Sequence, residues 1–182
     1  MKGRSLVWAA ALWLAPAVSV HCQGQGTQTP IPRFEDYPVI TVFHGKPAEP
    51  VFVRGRGAFR TRIREGARKG PNFAGRYTIV KWGCGSGCIS FAVVSAISGQ
   101  PYYPVPFAAL GIPFQGTVSG RSYKGLEYRL NSSLLIADGC PEDADSTDAN
   151  FEKNCGTRYY NWERNRFVLI RSVAVPVASL KR

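Results

Sequence analysis

Seven short apolar runs follow one another from residue 76 onward with no helical stretch between them, and that succession decides the fold class. They are RYTIVKW (76–82), ISFAVVSA (89–96), PYYPV (101–105), LEYRL (126–130), SSLLIAD (132–138), RYYNW (158–162) and RFVLIRS (166–172). Each is rich in β-branched or aromatic residues and bounded by Gly, Pro, Ser or Asp, the pattern of a strand between turns. Parallel strands need long crossovers, usually helical, so strands that follow one another directly pair antiparallel. Ser98-Gly99 and Glu163-Arg164-Asn165 sit where hairpin turns are expected. Two earlier runs, YPVITVF (37–43) and PVFV (50–53), also read as strands. One helix is expected, over residues 57–69, where Phe59, Ile63 and Ala67 recur every four residues and Gly70-Pro71 supply a stop. The expected fold is therefore α+β: a twisted, mostly antiparallel sheet with one short helix packed on it, stapled by disulfides.

The first 19 residues read as a secretory signal. Lys2 and Arg4 give the positive start, Leu6 to Leu14 the apolar stretch, and Ala15-Pro16-Ala17 or Ala17-Val18-Ser19 a small-residue cleavage site. The apolar run is shorter than the ~20 residues that a spanning helix needs. The expected organisation is signal peptide 1–19, flexible polar tether 20–34 and one globular α+β domain 35–182, in a periplasmic or secreted protein without a transmembrane segment. Lipid anchoring through Cys22 is the alternative, but Ser19 and His21 fit the usual lipid-attachment pattern poorly.

Apart from Cys22, the cysteines fall into two local couples, Cys84 with Cys88 and Cys140 with Cys155. An oxidising compartment favours disulfides over a four-thiolate zinc site, and proximity favours the local pairs, although three connectivities are open to four cysteines.

Charge is unevenly spread in a chain of formal net charge +11. Between Arg54 and Arg76 stand eight basic residues against Glu65 alone, and between Asp138 and Glu152 six acids and no base. Arg56, Arg60, Arg62, Arg64 and Arg68 make the basic segment a candidate surface for an anionic partner, with aromatic residues nearby to stack. The ordinary alternative is a solvated helix face. Export argues against nucleic acid as a physiological partner. The acidic stretch lacks the Gly and Glu of a calcium-binding loop, having Asp148 and Asn154 at those places.

The densest motif is Trp82-Gly83-Cys84-Gly85-Ser86-Gly87-Cys88. Its glycines could expose backbone N–H groups as an oxyanion site, with Ser86 as nucleophile, or could simply allow a tight stapled turn. Partners for catalysis are scarce. His21 and His44 are the only histidines, both upstream of the cysteines, and a Ser86, His44, Asp138 triad lacks the nucleophile-elbow motif. No catalytic residue, cofactor or metal ligand is assigned. Trp82 and Ser86 stay as binding candidates beside the arginines.

The stretch from Phe59 to Cys88, with N-F-A-G-x-Y and W-G-C-G-x-x-C at its heart, resembles a family of small exported bacterial proteins. SSLLIADGC and RYYNWERNRFVLIRS are also similar to theirs. The resemblance implies an exported, compact β-rich protein and carries over no catalytic residue. Family members often have His after N-F-A-G, where this chain has Arg76. The resulting expectation is a non-enzymatic binding module of the bacterial envelope, of inhibitor, immunity or accessory type, with another envelope protein or an anionic surface as partner. A small hydrolase using the Gly83–Gly87 loop, or a polyanion binder using Arg54–Arg76, is the alternative.

Overall fold

The computed structural model describes residues 30–53, 59–103, 109–112, 122–141 and 154–174. The chain divides into Met1–Pro30, of which only Pro30 is described, and a folded unit Ile31–Arg182. The signal peptide, Cys22, Arg54, Arg56 and the acidic stretch beyond Asp138 lie outside the described residues.

Eight strands form one open sheet: β1 (Tyr77–Gly85), β2 (Cys88–Ser95), β3 (Pro101–Tyr102), β4 (Ala109–Gly111), β5 (Gly125–Tyr128), β6 (Leu134–Pro141), β7 (Gly156–Glu163) and β8 (Arg166–Ala174). The path runs β1-β2-β4-β6-β7-β8, with β3 pairing on β2 and β5 on β6. Every pairing is antiparallel, as the absence of crossover helices requires. Short β4, which the sequence did not announce, joins the two halves by pairing with Cys88–Ser90 on one side and with Cys140 and Pro141 on the other.

Alternation along β1 and β2 explains the layering. Tyr77, Ile79, Phe91 and Val93 point into the main core with Leu126, Leu135, Tyr160, Trp162 and Phe167 from the other half of the sheet. The residues between them, Val80, Trp82, Ala92 and Val94, point the other way, against Ile63 and Ala67 of the helix α1 (Arg60–Ala67). β1 and β2 are thus covered on both faces. Gly66 lets α1 approach closely, since a Cβ there would lie 2.5 Å from Val80 Cγ1. The helix is shorter than expected because Phe59 has a left-handed backbone (φ 65°) and so caps it from outside.

The expectation of strands at 37–43 and 50–53 is corrected. Neither forms a named strand; Pro38 bridges Ser132 once, and the segment is tied down by isolated bonds from Val39 N–H to Asn131 O, Phe43 N–H to Gly75 O, Ala48 N–H to Ala96 O and Val51 N–H to Gly99 O. Proline at 38, 47 and 50 removes donors that a continuous ladder would use. Before it, Phe34–Asp36 makes one 3-10 turn, closed by Asp36 Oδ2 accepting from Arg33 N–H at 2.8 Å.

Candidate functional site

The sequence motifs account for structure first. Cys84 bonds Cys88 (Cα–Cα 5.2 Å) and Cys140 bonds Cys155 (Cα–Cα 4.1 Å), so the local pairing holds and the zinc alternative loses its thiolates. The glycine-rich motif is the β1–β2 hairpin, with Gly85 opposite Cys88 and Ser86-Gly87 as its turn. Gly87 has φ 66° and Gly85 φ 146°, backbone states that side chains resist. Ser86 is exposed at the tip. His44 lines a groove at the Tyr77 end of β1, roughly 25 Å or more from Ser86 along the strand. Asp138 is buried and accepts from Lys124 N–H at 3.0 Å and Thr157 Oγ1–H at 2.8 Å, a structural role. The three residues of the formal triad are not assembled.

The helix arginines are also partly committed. Arg60 and Arg64 lie over the Phe52 ring at 5.5 and 5.1 Å, Arg60 donates to Val53 O at 3.2 Å, and Arg68 meets Glu49 at 3.2 Å. Arg62 remains at the exposed face. Trp82 is 7% exposed and stacks under Phe59 with ring centroids 5.0 Å apart, so it is a core residue rather than a contact platform.

N-F-A-G-R-Y builds a junction. The Asn72 side chain bonds Ile79 through both its atoms, donating to the carbonyl at 3.1 Å and accepting from the N–H at 2.8 Å. Phe73 is fully buried. Ala74 and Gly75 then take left-handed backbone (φ 44° and 73°), placing their N–H groups on Ser132 O and Leu130 O. Gly75 O accepts from Phe43 N–H at 2.8 Å, and a Cβ on Gly75 would collide with the Thr41 carbonyl. The motif therefore presses residues 39–43 against the sheet, and a groove opens beside them.

This groove has a volume of about 650 Å³. One wall is residues 38–44; the other is formed by Arg76, Tyr77 and Ile97, with Ser133 and the Arg164-Asn165 turn at the end and Trp162 beneath. Arg164 and Asn165 have φ 49° and 61°, the mirror-type two-residue turn that suits a hairpin's twist. Tyr77 Oη–H donates to Asn165 Oδ1 at 2.7 Å, which pins that turn to the start of β1. Trp162 is held edge-on by Tyr77 and Tyr102, with centroids at 5.3 and 5.8 Å, and its buried indole N–H has no hydrogen-bond partner. Burial, chiefly, raises the Tyr102 hydroxyl above its ordinary range, so it stays neutral.

Three features combine at this groove. Its lining carries Arg76, Arg164 and His44 but no acid. Among the described residues Arg76 and Arg164 meet no carboxylate, as is also true of Arg62 on α1, whereas Arg33, Arg68 and Arg129 each do; Arg76 lies over the Tyr77 ring at 5.5 Å. Its rim exposes apolar side chains, Ile40 completely and Ile97 by 55%. A second hollow of about 400 Å³, near Glu35, Lys124, Glu127 and Arg129, has internally paired charges.

Of these residues the sequence singled out His44, as one of only two histidines, Arg76, for standing where the resembled proteins often have His, and Arg164-Asn165, as a hairpin turn. Ile40, Ile97, Ser133, Arg164 and Asn165 come together only through the fold. No family model matches the chain, and neither the curated proteins nor the solved structures contain a match.

Proposed function

We propose that this chain is a non-enzymatic binding module of the bacterial envelope, exported through its N-terminal signal and working through the groove between residues 38–44 and the Arg164-Asn165 turn. The observation that carries the reading is the open groove itself, apolar at the rim and lined by cations that meet no carboxylate among the described residues. Unpaired cations beside exposed apolar side chains form a surface suited to a partner. Two disulfides and the absence, among the described residues, of any helix long and apolar enough to cross a membrane fit an exported domain.

The test is affinity capture from envelope extract with the wild-type domain and with Ile40→Asp. Ile40 is fully exposed, so the substitution leaves stability within about 0.5 kcal/mol while placing a charge on the apolar rim. The expected result is a species retained by the wild type and lost with Ile40→Asp. Equal retention by both proteins overturns the groove, and capture of nothing overturns the binding module.

A further inference from the structure

We propose that the groove docks an extended acidic peptide segment of a protein partner, taken up alongside residues 40–42 as an added strand. This deepens the binding-module reading and rests on it.

Three observations converge. The first is backbone chemistry. Val39 and Phe43 donate their N–H groups to Asn131 O and Gly75 O, but between them the N–H groups of Ile40, Thr41 and Val42 have no partner among the described residues. The same residues form one wall of the groove. In extended chain alternate N–H groups face one side, so those of Ile40 and Val42, opposite in parity to the committed Val39 and Phe43, are the ones an incoming strand uses for affinity, while neighbouring pockets select its side chains.

The second is charge. Arg76 and Arg164 flank the Tyr77–Asn165 hydrogen bond as the chain neighbours of its two residues, and His44 stands on the facing wall. With no carboxylate among the described residues of the lining, the groove favours an anionic occupant and repels a basic one. Charge-assisted bonds from guanidinium to carboxylate are among the stronger polar contacts available.

The third is the combination with apolar surface. Ile40 and Ile97 stand on the rim, so the groove offers cations and exposed aliphatic side chains together. A strand alternating acidic and aliphatic residues satisfies both, because its side chains point to opposite sides with a period of two. A purely charged polymer would leave the aliphatic rim wet.

The experiment uses the exported, disulfide-intact protein and a fluorescein-labelled decapeptide of alternating Glu and Val, followed by fluorescence anisotropy. A peptide of alternating Lys and Val is the sign control. The Glu peptide is expected to bind and the Lys peptide not. Arg76→Ala combined with Arg164→Ala is expected to weaken binding at least tenfold, and Arg62→Ala on α1 to leave it unchanged. Both groove arginines are exposed, and an unchanged thermal midpoint shows that the double variant is folded. Methylating alternate backbone nitrogens of the peptide is expected to abolish binding in one of the two registers.

Loss of binding with Arg62→Ala but not with the groove variant overturns the proposal in favour of an anion-binding helix face. Tighter binding of dextran sulfate at the same arginines overturns the peptide as occupant. Indifference to methylation in both registers overturns strand addition, and no binding of the Glu peptide at millimolar concentration overturns the whole. If that last result comes with a partner captured by the wild type and lost with Ile40→Asp, the binding-module reading survives and the acidic peptide alone falls. If nothing is captured either, both fall.

Discussion

Phe73→Ala is expected to remove about 3–5 kcal/mol of stability, the range for deleting a fully buried aromatic side chain. Phe73 is completely inaccessible and lies where the two halves of the sheet meet. Its ring is 6.3 Å from that of Tyr128, 6.2 Å from Trp162 and 6.0 Å from Phe167. Alanine removes those contacts and leaves a void that the surrounding strands, tied by ladders on both sides, close only in part. The backbone effect adds to this, because Phe73 is followed at once by the left-handed pair Ala74 and Gly75 that holds Phe43. Urea unfolding measures the loss as a lower midpoint at unchanged slope. Phe59→Ala is the comparison: Phe59 is 47% exposed and stacks on one face of Trp82, so its loss is expected to stay below about 2 kcal/mol. Equal effects of the two substitutions would mean that the core does not center on Phe73.

Replacing Cys140 and Cys155 together by alanine is expected to cost about 3 kcal/mol, the loop-closure value for a separation of 15 residues. Both cysteines are inaccessible and pack with Tyr123 and Ile112, so lost packing adds to the entropic loss. The Cys84–Cys88 bond spans a separation of only 4 across a turn already fixed by the β1–β2 ladder, and its removal is expected to cost about 2 kcal/mol or less. Exposure separates the two in a second way. Cys84 is exposed, so mild reduction of the folded protein followed by thiol blocking is expected to add two reduction-dependent labels, one each on Cys84 and Cys88 and separate from any on Cys22, with Cys140–Cys155 opening only on unfolding. Intact mass and peptide mapping read this directly. Four labels at once would show that the buried bond is open to solvent.

The parts of the fold that the sequence revealed are those set by local rules. The hairpin at Arg164-Asn165, the turn at Ser98-Gly99, the buried face of α1 and the two disulfides all follow from residues close together in the chain. The misread part is 37–43. YPVITVF has the composition of a strand, but Pro38 and the left-handed Ala74-Gly75 turn leave it only isolated hydrogen bonds, and the donors at 40–42 stay unpaired. Strand β4 is only three residues long, too short for alternation to show. The arginine-rich segment drew attention by count alone, although Arg60, Arg64 and Arg68 are engaged with Phe52 and Glu49. Arg76 and Arg164 are far apart in sequence and have no carboxylate partner among the described residues, a property that only the assembled structure exposes. The groove was invisible beforehand because its walls come from five separate stretches of chain.

The central claim, that the surface around Ile40 is where this protein meets its partner, is tested most directly by photo-crosslinking in living cells. A benzoylphenylalanine at position 40 reports on the groove rim, and one at position 170, on the exposed part of β8, is the control. The account predicts one discrete heavier species from position 40, absent from position 170 and lost when Arg76 and Arg164 are both alanine. No adduct from position 40, or the same adduct from both positions, would contradict it.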